Sequence, residues 1–147
     1  MKKSQAPQFA ESEINQLVKE NYQLSGKLKC LPSYCDQNLL LTTPGKEQFI
    51  IKITHSAEPI LELEMQNSAM AHLTEKKIPV PHAIDNQQGR LISLISKAGE
   101  AFYLRLLSFI PGKFYAEADS HNHNPTLWSD LGMFLGELDS ALNNFQH

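Results

Sequence analysis

Cysteine is scarce in this sequence, and the scarcity excludes a scaffold built on disulfides. The 147 residues contain two cysteines, Cys30 and Cys35, which are too few for a disulfide framework. Neither has the spacing or the partners of a zinc or redox motif, so both are predicted to be ordinary thiols. A reduced compartment follows, and we expect a cytoplasmic protein.

Long hydrophobic runs and a strong excess of one charge are also missing. No apolar run approaches the roughly 20 residues that span a bilayer, and no apolar segment of a secretory signal follows the basic residues Lys2 and Lys3. The formal net charge of -3 gives no reason to expect nucleic acid or a membrane surface as a partner. With 41% hydrophobic and 20% charged residues, the chain is predicted to form one globular domain.

The chain does contain alternating helix and strand patterns, which predict an α+β fold. Residues 1–8 resemble a frayed tail, and a helix is predicted to open within Ala10–Glu13, with Ser12 as a candidate cap. The other predicted helices cover residues 57–77 and 126–145, and the predicted strands cover residues 27–31, 39–42, 49–54, 90–96 and 102–110. The last strand is apolar on both faces, which predicts a central place in the sheet.

A lysine in a strand of isoleucines is the first candidate functional residue. Lys52 lies within Gln48–Thr54, and a buried ammonium needs a carboxylate or a phosphate nearby, unless it extends to water. Glu62 and Glu64 follow on the next helix, roughly 160° apart around its axis, so only one of them can face the lysine. A strand lysine followed by a helix glutamate suggests a nucleotide-phosphate site.

Simpler interpretations exist for the same residues. Strand lysines usually extend to solvent, helix glutamates are usually solvated, and the apolar strand before Pro111 can be plain core. His121 and His123 lie in a polar loop without a third ligand nearby in sequence, so we predict no metal site in this chain.

Four short sequence motifs, in a fixed order, indicate a particular protein family. They are Leu31-Pro32-Ser33-Tyr34-x-Asp36-Gln37-Asn38, Ile51-Lys52-Ile53, Leu63-Glu64-x-Gln66-Asn67 and Tyr103-Leu104-x-Leu106-Leu107-Ser108-x-Ile110-Pro111-Gly112. Together they resemble the aminoglycoside phosphotransferase/choline kinase superfamily, which has a protein-kinase-like fold, and within it the hydroxylysine-kinase-like branch. Bacterial members of this branch also occur as the N-terminal part of larger chains that carry a class III aminotransferase-like domain.

The resemblance implies how the chain is organised. Residues 9–110 would form a nucleotide-binding small lobe, with a five-stranded antiparallel sheet, an N-terminal helix and a packed helix that carries the glutamate. Residues 111–147 would form the hinge exit and the first helix of a truncated large lobe. The catalytic and Mg²⁺-binding aspartates of the family belong to that lobe and are not found here, so the chain alone is expected to be inactive.

The resemblance also assigns roles to residues at the nucleotide. Lys52 would contact the α- and β-phosphates, and Glu64 would hold Lys52 in place. The third motif, Leu63-Glu64-x-Gln66-Asn67, favours Glu64 over Glu62 for this role. The main chain of Ser108 and Ile110 would hydrogen-bond the purine.

The loop before the second strand would lie over the phosphates. Its candidate nucleotide-binding residues are Tyr34, Gln37 and Asn38. Protein kinases use a glycine-rich loop here, whereas this loop has no glycine. Asp36 would repel phosphate unless it points away or meets a cation.

The implied cofactor is ATP or GTP with Mg²⁺, and the metal ligands are expected in the missing lobe. The acceptor would be a hydroxylated amine or amino acid, bound mainly by that lobe. If the chain ends naturally at His147, self-association through the last helix is expected, because its apolar face has no cover. Two alternatives stay open: a non-catalytic binding or docking module on the same fold, and a small α+β interaction domain of unrelated descent.

Overall fold

One antiparallel sheet of six strands organises the chain in the computed structural model, which describes residues 6–117 and 124–147. The strand order is β1-β2-β3-β6-β4, and β5 also pairs with β6. The strands are β1 Lys27–Leu31, β2 Gln37–Thr42, β3 Gln48–His55, β4 Ala83–Ile84, β5 Ser93–Lys97 and β6 Glu100–Ser108.

Three α-helices accompany the sheet in the described ranges: α1 Glu11–Tyr22, α2 Ile60–Glu75 and α3 Pro125–Leu142. The N-cap of α1 is Ala10, whose N–H donates to the Glu13 carboxylate at 2.6 Å. Ser12 was predicted as the cap, and this is wrong, because Ser12 already lies inside the first turn.

The segment before α1 is packed rather than frayed. Pro7 and Phe9 are buried, and the Phe9 ring stands edge-on to Phe102 with 5.1 Å between the ring centroids. The Gln8 carbonyl accepts a hydrogen bond from the Lys97 ammonium at 2.7 Å. The predicted tail of residues 1–8 is therefore too long, and residues 1–5 lie outside the described part of the chain.

The hydrophobic core lies between α1 and one face of the sheet. Ile14 and Val18 of α1 are fully buried against alternate residues of the three central strands. Those strand residues are Leu39, Leu41, Ile51, Ile53, Phe102, Leu104 and Leu106. Alternation of period two places the residues between them on the opposite face, which carries Lys52.

The central place predicted for the last strand is confirmed, since β6 pairs with β3, β4 and β5. The expectation that both of its faces are apolar is wrong: Arg105 lies in its middle and is 2% exposed. The sequence patterns also missed β4, because two residues are too few to show a period of two.

Helix α3 lies at the end of α2, away from the core. The Asn124 side chain caps α3 by accepting from the Leu127 N–H at 3.0 Å. His72 of α2 hydrogen-bonds the Ala141 carbonyl at 2.8 Å, and its ring lies 5.5 Å from that of Phe145. No α3 side chain is buried, and Trp128 is 55% exposed.

Among the helices in residues 6–117 and 124–147, none has the length and apolar character that crossing a membrane requires.

The position of the core predicts that two leucines of neighbouring strands contribute very differently to the free energy of unfolding. Leu104 is fully buried in β6, whereas Leu94 of β5 is 70% exposed. Leu104→Ala is expected to lower the free energy of unfolding by about 2–5 kcal/mol, because it leaves a cavity. Leu94→Ala is the matched control, with an expected change of less than about 0.5 kcal/mol. Urea unfolding followed by circular dichroism measures both changes. Equal losses of stability would contradict the placement of Leu104 in the core and of Leu94 outside it.

Candidate functional site

Polar side chains form a row across the middle of the sheet, on the face opposite α1. Asn38 of β2 is paired with Lys52 of β3, and Lys52 is paired with Arg105 of β6. Residues directly opposite each other in antiparallel strands have their side chains on the same face. The row is therefore a shared surface that contains two cations.

The Lys52 ammonium forms an ion pair with Asp36, the residue just before β2. Its Nζ lies 3.0 Å from the Asp36 carboxylate, and the two side chains are 24% and 17% exposed. The pair supplies the charge that a half-buried lysine requires. The ion pair also places the carboxylate of the loop residue Asp36 against a cation, which is one of the two conditions under which Asp36 would not repel phosphate.

The predicted ion pair between Lys52 and Glu64 is absent from the described residues. Glu64 is exposed and lines a depression on the other side of α2, together with Leu94 and Tyr103. The position of Glu64 therefore argues against the prediction that Glu64, rather than Glu62, faces Lys52.

Glu62 interacts with the Glu58 carboxyl, just before α2. The pKa of Glu58 is raised, first by a hydrogen bond with the Glu62 carboxyl and by its charge, and also by the charge of Asp36. Glu62 nevertheless forms no ion pair with Lys52 among the described residues. The helix carboxylates therefore do not hold the lysine in this structure.

Arg105, rather than Lys52, makes the side-chain contact between the sheet and α2. Its guanidinium donates to the Asn67 side-chain oxygen at 3.1 Å, to the Gln66 side-chain oxygen at 2.9 Å and, more weakly, to the Leu63 carbonyl at 3.4 Å. Burial lowers the pKa of Arg105, and the negative charge of Asp36 acts in the opposite direction. Asp36 therefore interacts with both cations of the row.

The loop residues divide between the two faces of the sheet. Asn38 lies beside Lys52, and its side-chain oxygen is buried without a hydrogen-bond partner among the described residues. The Gln37 side chain instead accepts from the Phe9 N–H at 2.7 Å and donates to the Phe9 carbonyl at 2.8 Å. Tyr34 is 88% exposed. Of the three predicted loop residues, only Asn38 is brought to the lysine.

The predicted hinge begins where β6 ends. The Ser108 N–H donates to the His82 carbonyl at 2.9 Å, and the His82 N–H donates to the Ser108 hydroxyl at 3.0 Å. Ser108 is thus tied to the segment before β4. The Ile110 main chain makes no hydrogen bond among the described residues, so its N–H is available to a ligand.

Sequence reasoning missed Arg105 although a signal was present. The argument applied to Lys52, that a cation in an apolar strand needs partners, applies equally to an arginine between Leu104 and Leu106. Gln66 and Asn67 were quoted only as part of a family word, yet their amide oxygens are the acceptors. The link between Ser108 and His82 had no sequence signal, because it joins segments 26 residues apart.

Among the residues that the structure describes, no three His, Cys, Asp or Glu side chains are grouped so that they could hold a metal ion. His121 and His123 lie outside those residues.

Comparison with known proteins places the chain in a family. A profile described as "Phosphotransferase enzyme family" (APH) matches residues 31–146. A hydroxylysine kinase from Danio rerio is 28% identical over 152 aligned positions, which cover 99% of this chain and 42% of the relative. The chain therefore spans less than half the length of this relative.

Solved structures show the same fold at low identity. An amicoumacin kinase in complex with AMP-PNP, Ca²⁺ and Ami superposes with a TM-score of 0.81 at 20% identity, covering 95% of this chain and 42% of that one. A microcompartment-associated aminopropanol kinase superposes with a TM-score of 0.72 at 17% identity, covering 93% and 42%. These likenesses confirm the predicted kinase-like small-lobe fold.

The ion pair at the site is testable by a double-mutant cycle. Lys52→Met, Asp36→Asn and the double variant are expected to give a coupling energy of about 1 kcal/mol, because both side chains are partly buried. The more exposed pair of Lys97 and Glu13, at 34% and 42% exposure, serves as the control with a smaller expected coupling. Chemical unfolding supplies the energies, and additive effects at Lys52 and Asp36 would show that the pair is not formed in solution.

Proposed function

This chain belongs to the phosphotransferase enzyme family (APH), and from that premise we propose that it is the nucleotide-binding part of a kinase that phosphorylates a hydroxyl group of a small molecule. The match to the family profile confirms the family resemblance that the four sequence motifs indicated. The nucleotide role of particular residues is our proposal.

The observation that carries the proposal is the partly exposed ammonium of Lys52, held in the polar row of the sheet. An ammonium has three donors, and Asp36 is its one ion-pair partner among the described residues. The remaining donors can bind phosphate oxygens while the carboxylate keeps the lysine in place. Arg105 adds positive charge beside it, which favours an anion at this face.

The purine would bind at the end of β6, through the main chain of Ser108 and Ile110. The Ile110 N–H lacks a partner among the described residues and would donate to a ring nitrogen. The Ser108 N–H is used by His82, so the proposed contact of Ser108 is made by its carbonyl oxygen. Backbone contacts impose little on side chains, which explains why this segment is mainly apolar.

The nucleotide would be ATP or GTP with Mg²⁺. Lys52 and the neighbouring Asn38 amide fit the phosphates by charge and by donor chemistry, whereas the ligands of the metal would come from the rest of a longer protein. When bound, Mg²⁺ supplies charge neutralisation at the transferring phosphoryl group. Without the metal and a base to orient the acceptor hydroxyl, we expect no phosphoryl transfer by residues 1–147 alone.

The acceptor is proposed to be a small molecule with both an amine and a hydroxyl group. Hydroxylysine and aminopropanol, in the names of two similar kinases, share that chemistry. This chain offers the nucleotide surface, so most acceptor contacts would lie outside it.

A second candidate function is a non-catalytic binding module on the same fold. The ion pair of Lys52 with Asp36 favours it, because an acid beside the lysine opposes an incoming phosphate. The two candidates differ in whether the lysine binds nucleotide at all.

The first test of the proposed function is Lys52→Ala. It is expected to weaken the binding of ATP with Mg²⁺ at least about tenfold, because hydrogen bonds from a charged donor to phosphate are lost. Lys29→Ala, at an exposed position of β1, is the control and is expected to leave affinity unchanged. Isothermal titration calorimetry with the longest natural form of the protein measures both.

The same titration separates the two candidate functions. Nucleotide affinity that is lost in Lys52→Ala supports the kinase proposal. If neither the wild type nor Asp36→Asn binds ATP or GTP, the kinase proposal is wrong and the non-catalytic module is favoured.

The second test concerns the hinge. Ile110→Pro removes the proposed main-chain donor, so it is expected to weaken purine-nucleotide binding about tenfold. Ile110→Ala keeps the N–H and is expected to bind within about twofold of the wild type. Equal affinities of the two variants, with unchanged circular dichroism, would place the purine elsewhere.

A further inference from the structure

Arg105 is a buried cation whose position in the proposed site has no assigned role. It is 2% exposed, and its hydrogen-bond acceptors are all neutral oxygens of α2. Among the described residues no carboxylate lies within ion-pair distance of it, and its Nε has no partner. A buried charge of this kind contributes little to stability compared with an apolar side chain of similar volume. Its presence therefore calls for a reason other than stability.

The three acceptors fix one turn of α2 against the sheet. Leu63, Gln66 and Asn67 are three and four positions apart, so they lie on one side of the helix. A planar guanidinium that donates to several oxygens restricts both the rotation and the height of the helix. Because Arg105 is directly opposite Lys52, the same contact sets the distance between α2 and the lysine.

The charge of Arg105 also orients the lysine. Like charges directly opposite in neighbouring strands repel each other. The Lys52 ammonium lies instead at Asp36, which interacts with both cations. Arg105 thus acts on Lys52 in two ways, by holding α2 on the face of the sheet that carries the lysine and by directing its ammonium toward the loop.

We propose that Arg105 is a positioning residue of the nucleotide site: it holds α2 against β6 without ligand and keeps Lys52 at the phosphate-binding face, so that no helix carboxylate is required. The inference rests on the proposed function. It predicts that Glu62 and Glu64 are dispensable for nucleotide binding, whereas the neutral acceptors of Arg105 are not.

Matched variants separate the hydrogen bonds from charge and volume. Arg105→Lys keeps the charge but loses the planar fork, and Asn67→Leu removes an acceptor at nearly constant volume. Asn67→Asp keeps an acceptor oxygen and is the conservative rescue. Glu62→Gln and Glu64→Gln test the helix carboxylates.

Two measurements on the longest natural form of the protein are needed. Amide hydrogen exchange, followed by mass spectrometry, reports how firmly α2 is held relative to β2 and β3. Calorimetric titration with ATP and with GTP, each with Mg²⁺, reports the site. In Arg105→Lys and Asn67→Leu, exchange in residues 63–73 is expected to be about tenfold faster, with the strands unchanged, and nucleotide affinity about tenfold weaker. Asn67→Asp and both glutamate variants are expected to remain within about threefold of the wild type.

Several results would overturn the inference. Unchanged exchange in Arg105→Lys would show that the arginine does not hold α2, and faster exchange with unchanged affinity would show that the position of α2 does not matter to the site. A tenfold loss of affinity in Glu62→Gln or Glu64→Gln would restore the helix carboxylate. If Lys52→Ala loses affinity while Arg105→Lys does not, only this inference fails. If the wild type binds no nucleotide, the proposed function fails with it.

Discussion

Two cations placed opposite each other in the middle of a mostly apolar sheet are the constraint on which the rest of this structure depends. Lys52 and Arg105 occupy paired positions of β3 and β6, and neither can be buried without polar partners. The protein supplies them from two directions. Asp36 in the loop before β2 binds the lysine, and the amide and carbonyl oxygens of α2 bind the arginine. The loop, the sheet and the helix are thereby joined at one place.

This arrangement differs from the one expected for a kinase-like lobe, in which a helix glutamate binds the strand lysine. Glu64 lies on the far side of α2, and Glu62 makes no ion pair with Lys52 among the described residues. The helix is instead attached through neutral acceptors to Arg105. Because no helix glutamate binds the lysine among the described residues, its ion-pair partner there is the loop residue Asp36, which lies next to the proposed phosphate site.

The family of this chain follows from its sequence match, whereas the nucleotide role of its sheet is proposed. The chain belongs to the phosphotransferase enzyme family and has the fold of small-molecule kinases. The opposite face of the sheet is a core closed by α1, so we propose that the face carrying Asn38, Lys52 and Arg105 is the functional one. β6, which carries Arg105, ends at Ser108 just before Ile110, whose N–H makes no hydrogen bond among the described residues. The proposed phosphate contact, Lys52, therefore lies on β3, and the proposed purine contact follows the neighbouring strand β6.

The sequence by itself determined the class of the fold, the helices and longer strands and the family, and it singled out Lys52 as a cation that needs a polar partner. These follow from local periodicity, from the cost of burying an ammonium and from short words that keep their order. The tertiary structure decided the partners. That Asp36 binds Lys52, that Gln37 turns to Phe9 and that Arg105 contacts α2 depends on strand register and helix rotation, which bring together residues between 16 and 42 positions apart. A shift of one residue in a strand, or about 100° around a helix, exchanges one partner for another, and local patterns do not specify either to that precision.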